Sequence, residues 1–76
     1  MKFRECLEEL IKMNDPDSQM RCHRDDLAMV VIFDGKTLTL DVFRANTDTE
    51  TDVWDQSKID LVMDVLSTNP DVFWIE

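Results

Sequence analysis

The apolar positions near the N terminus recur with a helical period. Five of them in KFRECLEELIKM follow an i, i+3, i+4, i+7, i+8 spacing: Phe3, Cys6, Leu7, Leu10 and Ile11. This spacing places them on one face of an α-helix, with charged residues on the other. Asn14 is expected to end the helix in a left-handed conformation, and the following DPD continues the turn.

The next segment has the two-residue period and the β-branched composition of strands. QMRCHR alternates, LAMVVIF is a mostly apolar run, and KTLTLDVF alternates again. The dipeptide Asp34-Gly35 separates the last two runs, and Asp-Gly in that position is a strong hairpin signal. The pattern predicts a three-stranded antiparallel meander with the N-terminal helix on its inner face.

Assumed two-residue turns predict the register of this meander. A turn at Asp34-Gly35 gives these pairs between the second and third strands: Val31–Leu38, Met29–Leu40 and Leu27–Val42. A turn at Asp25-Asp26 gives these pairs between the first and second strands: Cys22–Met29 and Met20–Val31. Every one of these residues is apolar, so one face of the sheet is expected to form the core.

A second helix is predicted from about Asp55 to Ser67. Its apolar stripe is expected to contain Ile59, Val62, Met63 and Leu66, widened by Leu61 and Val65. Asp52 or Asp55 is expected to cap its N terminus, and Pro70 blocks its continuation. Trp54 is expected to join the core in line with Leu61 and Val65, and the alternative is an aromatic anchor at an interface. The final VFWI is predicted to form either a short edge strand or an irregular tail.

The order of these elements predicts an α+β fold. It consists of an N-terminal helix, a three-stranded antiparallel meander, a second helix and a possible short C-terminal strand. The 76 residues are expected to form a single domain, residues 1–76, because a core of this size is small but sufficient. Cys6 and Cys22 are expected to be buried reduced thiols, since a secreted domain this small normally carries more cysteines.

Charge is the compositional feature that most restricts the possible partners. The net charge is −9, and residues 46–76 hold eight acidic residues against one basic residue, Lys58. Direct binding to nucleic acid is disfavoured, because phosphates need clustered Lys and Arg. A basic protein partner is favoured. With no signal-peptide pattern and no apolar run of membrane-spanning length, the protein is expected to be cytoplasmic.

The acidic residues are concentrated in TDTETD and in the helix that follows. If residues 47–52 are extended, alternate side chains point the same way every ~6.6 Å, while Asp60 and Asp64 lie ~6 Å apart along the helix axis. Neighbouring phosphates of a DNA strand have a similar spacing, roughly twice the ~3.4 Å axial rise. The candidate partner-binding residues, here called the acidic row, are Asp48, Glu50, Asp52, Asp55, Asp60 and Asp64. The alternative interpretation of TDTETD is an ordinary solvated connection.

Metal binding and catalysis receive little support from the residues. Asp48, Glu50 and Asp52 match positions 1, 3 and 5 of a calcium-binding EF-hand loop, but Val53 and Ile59 occupy the positions of its Gly and Glu. Cys22 and His23 are adjacent in a predicted strand, so they point to opposite faces and form no dyad. No enzymatic activity, metal site or cofactor is therefore expected.

The order of elements and the acidity together resemble a family of small inhibitors made by phages and mobile elements. The relevant stretches are CLEELIKMND, VVIFDGKTLTLDV and the acid-rich loop that leads into a helix. These features are similar to anti-CRISPR proteins that block a Cas nuclease by occupying its DNA-binding surface. Uracil-DNA glycosylase inhibitors and nuclease immunity proteins share the same acidic character. The resemblance implies evasion of antiviral defence by competitive blocking of a nucleic-acid site, with the acidic row as DNA mimic and a Cas effector as partner.

A second interpretation belongs to a different class of protein. Apolar residues are also expected on the outer sheet face and in the tail: Val30, Ile32, Phe43, Phe73, Trp74 and Ile75. They would form the binding surface of a non-catalytic adaptor or of a homo-oligomeric interaction module. The protein is accordingly expected to be either a monomer or a homodimer.

Overall fold

The fold is an antiparallel sheet with both helices packed on one face. A computed structural model describes residues 1–44 and 54–76. The elements are α1 (Phe3–Met13), β1 (Gln19–Arg24), β2 (Leu27–Phe33), β3 (Leu38–Arg44), α2 (Gln56–Thr68) and β4 (Trp74–Ile75). The strands form one sheet in the order β3-β2-β1-β4, and every pairing is antiparallel. The predicted α+β class is confirmed, including the short C-terminal strand.

The first helix follows its sequence pattern closely. Asn14 ends α1 in the left-handed region with φ 50°, and its N–H donates to the carbonyl of Leu10. Phe3, Cys6 and Leu10 are buried, but Ile11 at the edge of the stripe is 42% exposed. The buried face of α1 is thus narrower than the predicted stripe.

The first hairpin has the predicted register. Cys22 lies opposite Met29, and Met20 lies opposite Val31. Asp25 adopts φ 55° in the connecting turn, a left-handed conformation that Asp tolerates better than most residues. The short connection of Asp25 and Asp26 is therefore enough to reverse the chain.

The second hairpin has a register that differs from the prediction by two residues. The Asp34 carboxylate accepts hydrogen bonds from the Lys36 and Thr37 amides at 2.9 and 2.8 Å, and Gly35 has φ +97°. This side-chain turn makes the loop four residues long instead of two. The observed pairs are Val31–Leu40, Met29–Val42 and Leu27–Arg44. Because the shift is even, each side chain keeps its predicted face.

The core lies between the inner sheet face and the two helices. It includes residues of α1, all three long strands, α2 and the C-terminal segment: Phe3, Cys6, Leu10, Met20, Cys22, Leu27, Met29, Val31, Val42, Leu61, Val65 and Phe73. Phe73 packs against Phe3 with ring centroids 5.2 Å apart. Cys6 and Cys22 are free and buried, as predicted, and burial raises the pKa of both thiols.

The second helix buries one edge of the predicted apolar face instead of its centre. Leu61 and Val65, expected to widen the stripe, are 4% and 0% exposed, and Val62 is partly buried against the core. The other three side chains of the predicted stripe are exposed, with values of 41%, 60% and 49% for Ile59, Met63 and Leu66. The prediction was wrong because α2 is apolar around most of its circumference, so hydrophobicity alone does not select a face.

Trp54 was also predicted incorrectly. Its side chain is 46% exposed and is not part of the core cluster. It lies two residues before α2, where the helical spacing that aligned it with Leu61 and Val65 does not apply.

Candidate acidic interface

A polar cleft of about 420 Å³ lies between the β1–β2 turn and α2. Four carboxylates and two guanidinium groups line it: Asp25, Asp26, Asp60, Asp64, Arg24 and Arg44. Each helix or strand end contributes for a local reason. The tight turn between β1 and β2 exposes Asp25 and Asp26, and α2 carries Asp60 and Asp64 one turn apart. The two arginines end β1 and β3.

Asp55 connects the start of α2 to the sheet. It is the N-cap residue, and its carboxylate accepts from the Lys58 amide at 3.1 Å. It also accepts from Arg44 at 2.6 Å, while the other guanidinium nitrogen of Arg44 donates to Asp26 at 2.8 Å. Arg44 therefore bridges the β1–β2 turn and the helix. Its guanidinium, followed by the Lys58 amide, lowers the pKa of Asp55, and the two carboxylates raise the pKa of Arg44.

Asp64 forms a second bridge from α2 to the sheet. Its carboxylate accepts a hydrogen bond from Arg24, and both side chains remain partly exposed. Exposed ion pairs contribute little to stability because water and salt screen them. Their geometric effect is larger, since Asp64 reaches Arg24 in the same rotation of α2 that turns Leu61 and Val65 into the core. The two bridges thus favour the observed rotation of α2.

Asp60, like Asp25 of the turn, has no ion-pair partner among the described residues, whereas Asp26, Asp55 and Asp64 each have one. Its carboxylate is exposed and accepts from Gln56 Nε2 at 2.8 Å. Asp60 and Asp64 are one turn apart on a regular helix, as the sequence predicted, so ~6 Å separates them along the axis. Asp60 is therefore the carboxylate of α2 most accessible to an incoming cation.

The acidic row is only partly within the described residues. Asp48, Glu50 and Asp52 lie outside them, so their predicted alignment stays a prediction. Asp60 and Asp64 meet in the cleft, and Asp55 lies beside it through its bond to Arg44.

Asp25 and Asp26 belong to the cleft but not to the predicted site. The sequence identified them only as turn residues, and no local pattern links a turn to a helix about thirty-five positions later. The four lining carboxylates outnumber the two guanidinium groups, so the cleft is acidic. Such a surface can accept charge-assisted hydrogen bonds from Lys or Arg of another protein.

The described residues contain neither a cluster of metal ligands nor a membrane-spanning helix. Within 1–44 and 54–76, no group of three or more potential ligands is placed to hold a metal ion. In the same residues, no helix has the length and apolar composition needed to cross a membrane.

The outer sheet face has a different character from the cleft. His23 and Trp74 stack with centroids 5.6 Å apart and an interplanar angle of 25°. Trp74 and Phe43 are 41% and 38% exposed, whereas Val30 is buried. Phe73, expected in the tail surface of the adaptor interpretation, is only 2% exposed. It belongs to the core because residues alternate in β4 and Trp74 takes the outer side.

The lowered pKa of Asp55 predicts a specific response to acid. A carboxyl whose folded pKa lies below its unfolded value of about 3.9 stabilises the fold above that pH and loses the effect as pH falls through the folded pKa. We expect Asp55→Asn to lower the thermal midpoint at pH 7, with the difference from the unsubstituted protein shrinking below about pH 4. Circular dichroism melts between pH 2 and 7 test this. The control is Asp17→Asn, an equal charge change remote from Arg44. If Asp55→Asn lowered the thermal midpoint by the same amount at every pH, the ion pair of Asp55 with Arg44 would not be the cause.

Comparison of the chain with protein-family models, curated proteins and solved structures found no match.

Proposed function

We propose that the protein is an inhibitor that occupies a basic nucleic-acid-binding surface of a nuclease or another nucleic-acid enzyme. Its carboxylates replace the phosphates of the natural ligand, as in anti-CRISPR proteins that mimic DNA. The observation that carries the proposal is the acidic cleft of Asp25, Asp26, Asp60 and Asp64. The acid-rich sequence of residues 46–53 adds to the negative charge of the chain. The inhibitor would act in the bacterial cytoplasm, where a phage-encoded protein meets a Cas effector.

Electrostatics support this type of partner. Residues 46–76 hold eight acidic residues and one basic residue, and this base, Lys58, is 7% exposed on the core side of α2. A field of one sign accelerates association with a surface of the opposite sign. Nucleic-acid enzymes present such surfaces because they must neutralise several phosphates at once.

The arginines within the cleft affect how the carboxylates act. Arg24 and Arg44 hold Asp64, Asp26 and Asp55 in fixed positions, which reduces the ordering cost of binding. They also neutralise part of the charge. Asp25 and Asp60, which have no ion-pair partner among the described residues, are consequently expected to contribute more to partner binding than Asp64, for which a partner must compete with Arg24.

The experiment is affinity capture from bacterial lysate at low salt, with stepwise salt elution and mass spectrometry. We expect nucleic-acid enzymes to elute at moderate salt, because charge-driven association weakens as ions screen it. Asp60→Lys should reduce their recovery about tenfold. Glu8→Lys, an equal charge change on the exposed face of α1, should not. Equal recovery with both variants would contradict the proposal.

The second candidate function is an adaptor or homo-oligomeric module that binds through the outer sheet face. The stacked pair of His23 and Trp74, with Phe43 on the same face, favours it. Apolar association persists or strengthens in high salt, so a partner that resists salt elution and is lost with Trp74→Ser would identify this function instead.

A further inference from the structure

An exposed apolar stripe on α2 lies outside the core formed by residues 1–44 and 54–76. Ile59, Met63 and Leu66 follow an i, i+4, i+7 spacing, which aligns them along one side of the helix. Their exposures of 41%, 60% and 49% contrast with the buried Leu61 and Val65 on the opposite side. Apolar residues scattered singly on a surface are ordinary, whereas an aligned set on one helix is the usual pattern of a helix that packs against something.

Charge determines which partner fits this stripe. A second copy of the chain would bring two net charges of −9 together, and this repulsion opposes self-association. Asp60 follows Ile59 directly and flanks the stripe, and α2 has no basic residue in its last turn to offset the negative end of the helix dipole. The surroundings of the stripe therefore select a cationic partner.

Geometry indicates the form of that partner. A straight ridge of three side chains spanning two helical turns matches the spacing of apolar residues on another helix. Met63, the most exposed of the three, has a flexible thioether that adapts to different partners. Arg4 lies near the C-terminal end of α2, since its amide donates to Asn69. The complementarity to cations is therefore greatest at the N-terminal half of the stripe, next to Asp60.

We infer that the Ile59–Met63–Leu66 stripe docks a basic amphipathic helix of the target protein. The helix would place apolar side chains on the stripe and a Lys or Arg side chain against Asp60 at its flank. This inference rests on the proposed function and deepens it. Screened carboxylates alone give speed and orientation but little affinity, and a desolvated apolar contact beside them supplies a central anchor.

The test uses a defined probe in place of the unidentified target. The probe is a synthetic amphipathic peptide of about 18 residues, made of Leu and Lys with Leu at helical spacing, long enough to form a helix when bound. A Leu/Glu peptide of the same pattern is the control for charge. Binding is followed by NMR of the methionine methyl groups, which report Met63 on the stripe and Met13 on α1 separately.

We expect the Leu/Lys peptide to shift the Met63 methyl signal and leave Met13 unchanged, while the Leu/Glu peptide does not bind. Met63→Ser should weaken binding about tenfold. Met13→Ser, which removes an equally large exposed methionine from α1, should have no effect. Because both side chains are exposed, thermal melts of the two variants should match the unsubstituted protein.

Three outcomes would overturn the inference: no binding of the Leu/Lys peptide, binding that Met63→Ser leaves intact, or perturbation centred on Trp74 and Phe43. A salt-resistant dimer sealed by the stripe would overturn it as well. A failure of the docked-helix inference can be distinguished from a failure of the proposed function. Met63→Ser leaves every carboxylate in place, and Asp60→Lys leaves the three apolar side chains of the stripe in place. Enzyme capture that depends on Asp60 but not on Met63 would retain the inhibitor and reject the docked helix.

Discussion

Replacement of Phe73 by alanine is expected to remove most of the stability of the fold. Its side chain is 2% exposed and packs on Phe3 of α1. The substitution therefore leaves a cavity between the C-terminal segment and α1. Removing a buried phenyl group costs about 3–5 kcal/mol. A domain of 76 residues has a typical unfolding free energy of only ~4–11 kcal/mol. Urea denaturation should therefore show a greatly lowered midpoint or no folded baseline.

The neighbouring Val72 provides the matched control. It is 45% exposed, so Val72→Ala should change the unfolding free energy by less than about 0.5 kcal/mol. Equal effects of the two substitutions would mean that the C-terminal segment is not integrated into the core. The segment would then be attached by backbone hydrogen bonds, such as the one from the Phe73 amide to the Met1 carbonyl at 3.0 Å, without support from side-chain packing.

Two leucines on the same helix test which face of α2 is buried. Leu61 is 4% exposed and Leu66 is 49% exposed. We expect Leu61→Ala to cost about 2–5 kcal/mol through the cavity it leaves, and Leu66→Ala to cost less than about 1 kcal/mol. Both substitutions remove the same atoms and change the intrinsic helix propensity by the same amount. Urea titration at pH 7 measures the two differences, and the reverse order would restore the face that the sequence predicted.

The sequence identified the elements of the fold better than their contacts. The i, i+3, i+4 spacing in α1 and the alternation in β1 determine local structure directly, and the structure confirmed both. The second hairpin loop was misjudged because the Asp34 side chain forms a turn with the Lys36 and Thr37 amides, an interaction that the Asp-Gly rule does not represent. The buried face of α2 was misjudged because the competing faces are similarly apolar.

The candidate site was less predictable, since it depends on contacts between distant residues. The periodicity of α2 was sufficient to align Asp60 with Asp64. The approach of Asp25 and Asp26 to them, and the bridges from Arg24 and Arg44, arise from packing of α2 beside the β1–β2 turn. Counting charges along the segment treated all its acids alike, whereas the structure separates the paired Asp55 and Asp64 from the accessible Asp60.

The most direct measurement of the inhibitor proposal is a competition assay with a nucleic-acid enzyme captured at low salt. Fluorescence anisotropy reports a labelled DNA bound to that enzyme while the protein is added. We expect the anisotropy to fall to the value of free DNA. Asp60→Lys should require about tenfold more protein, and Glu8→Lys should behave like the unsubstituted protein. An anisotropy that stays high or rises, because enzyme, DNA and protein bind together, would contradict the claim that the acidic surface replaces phosphate.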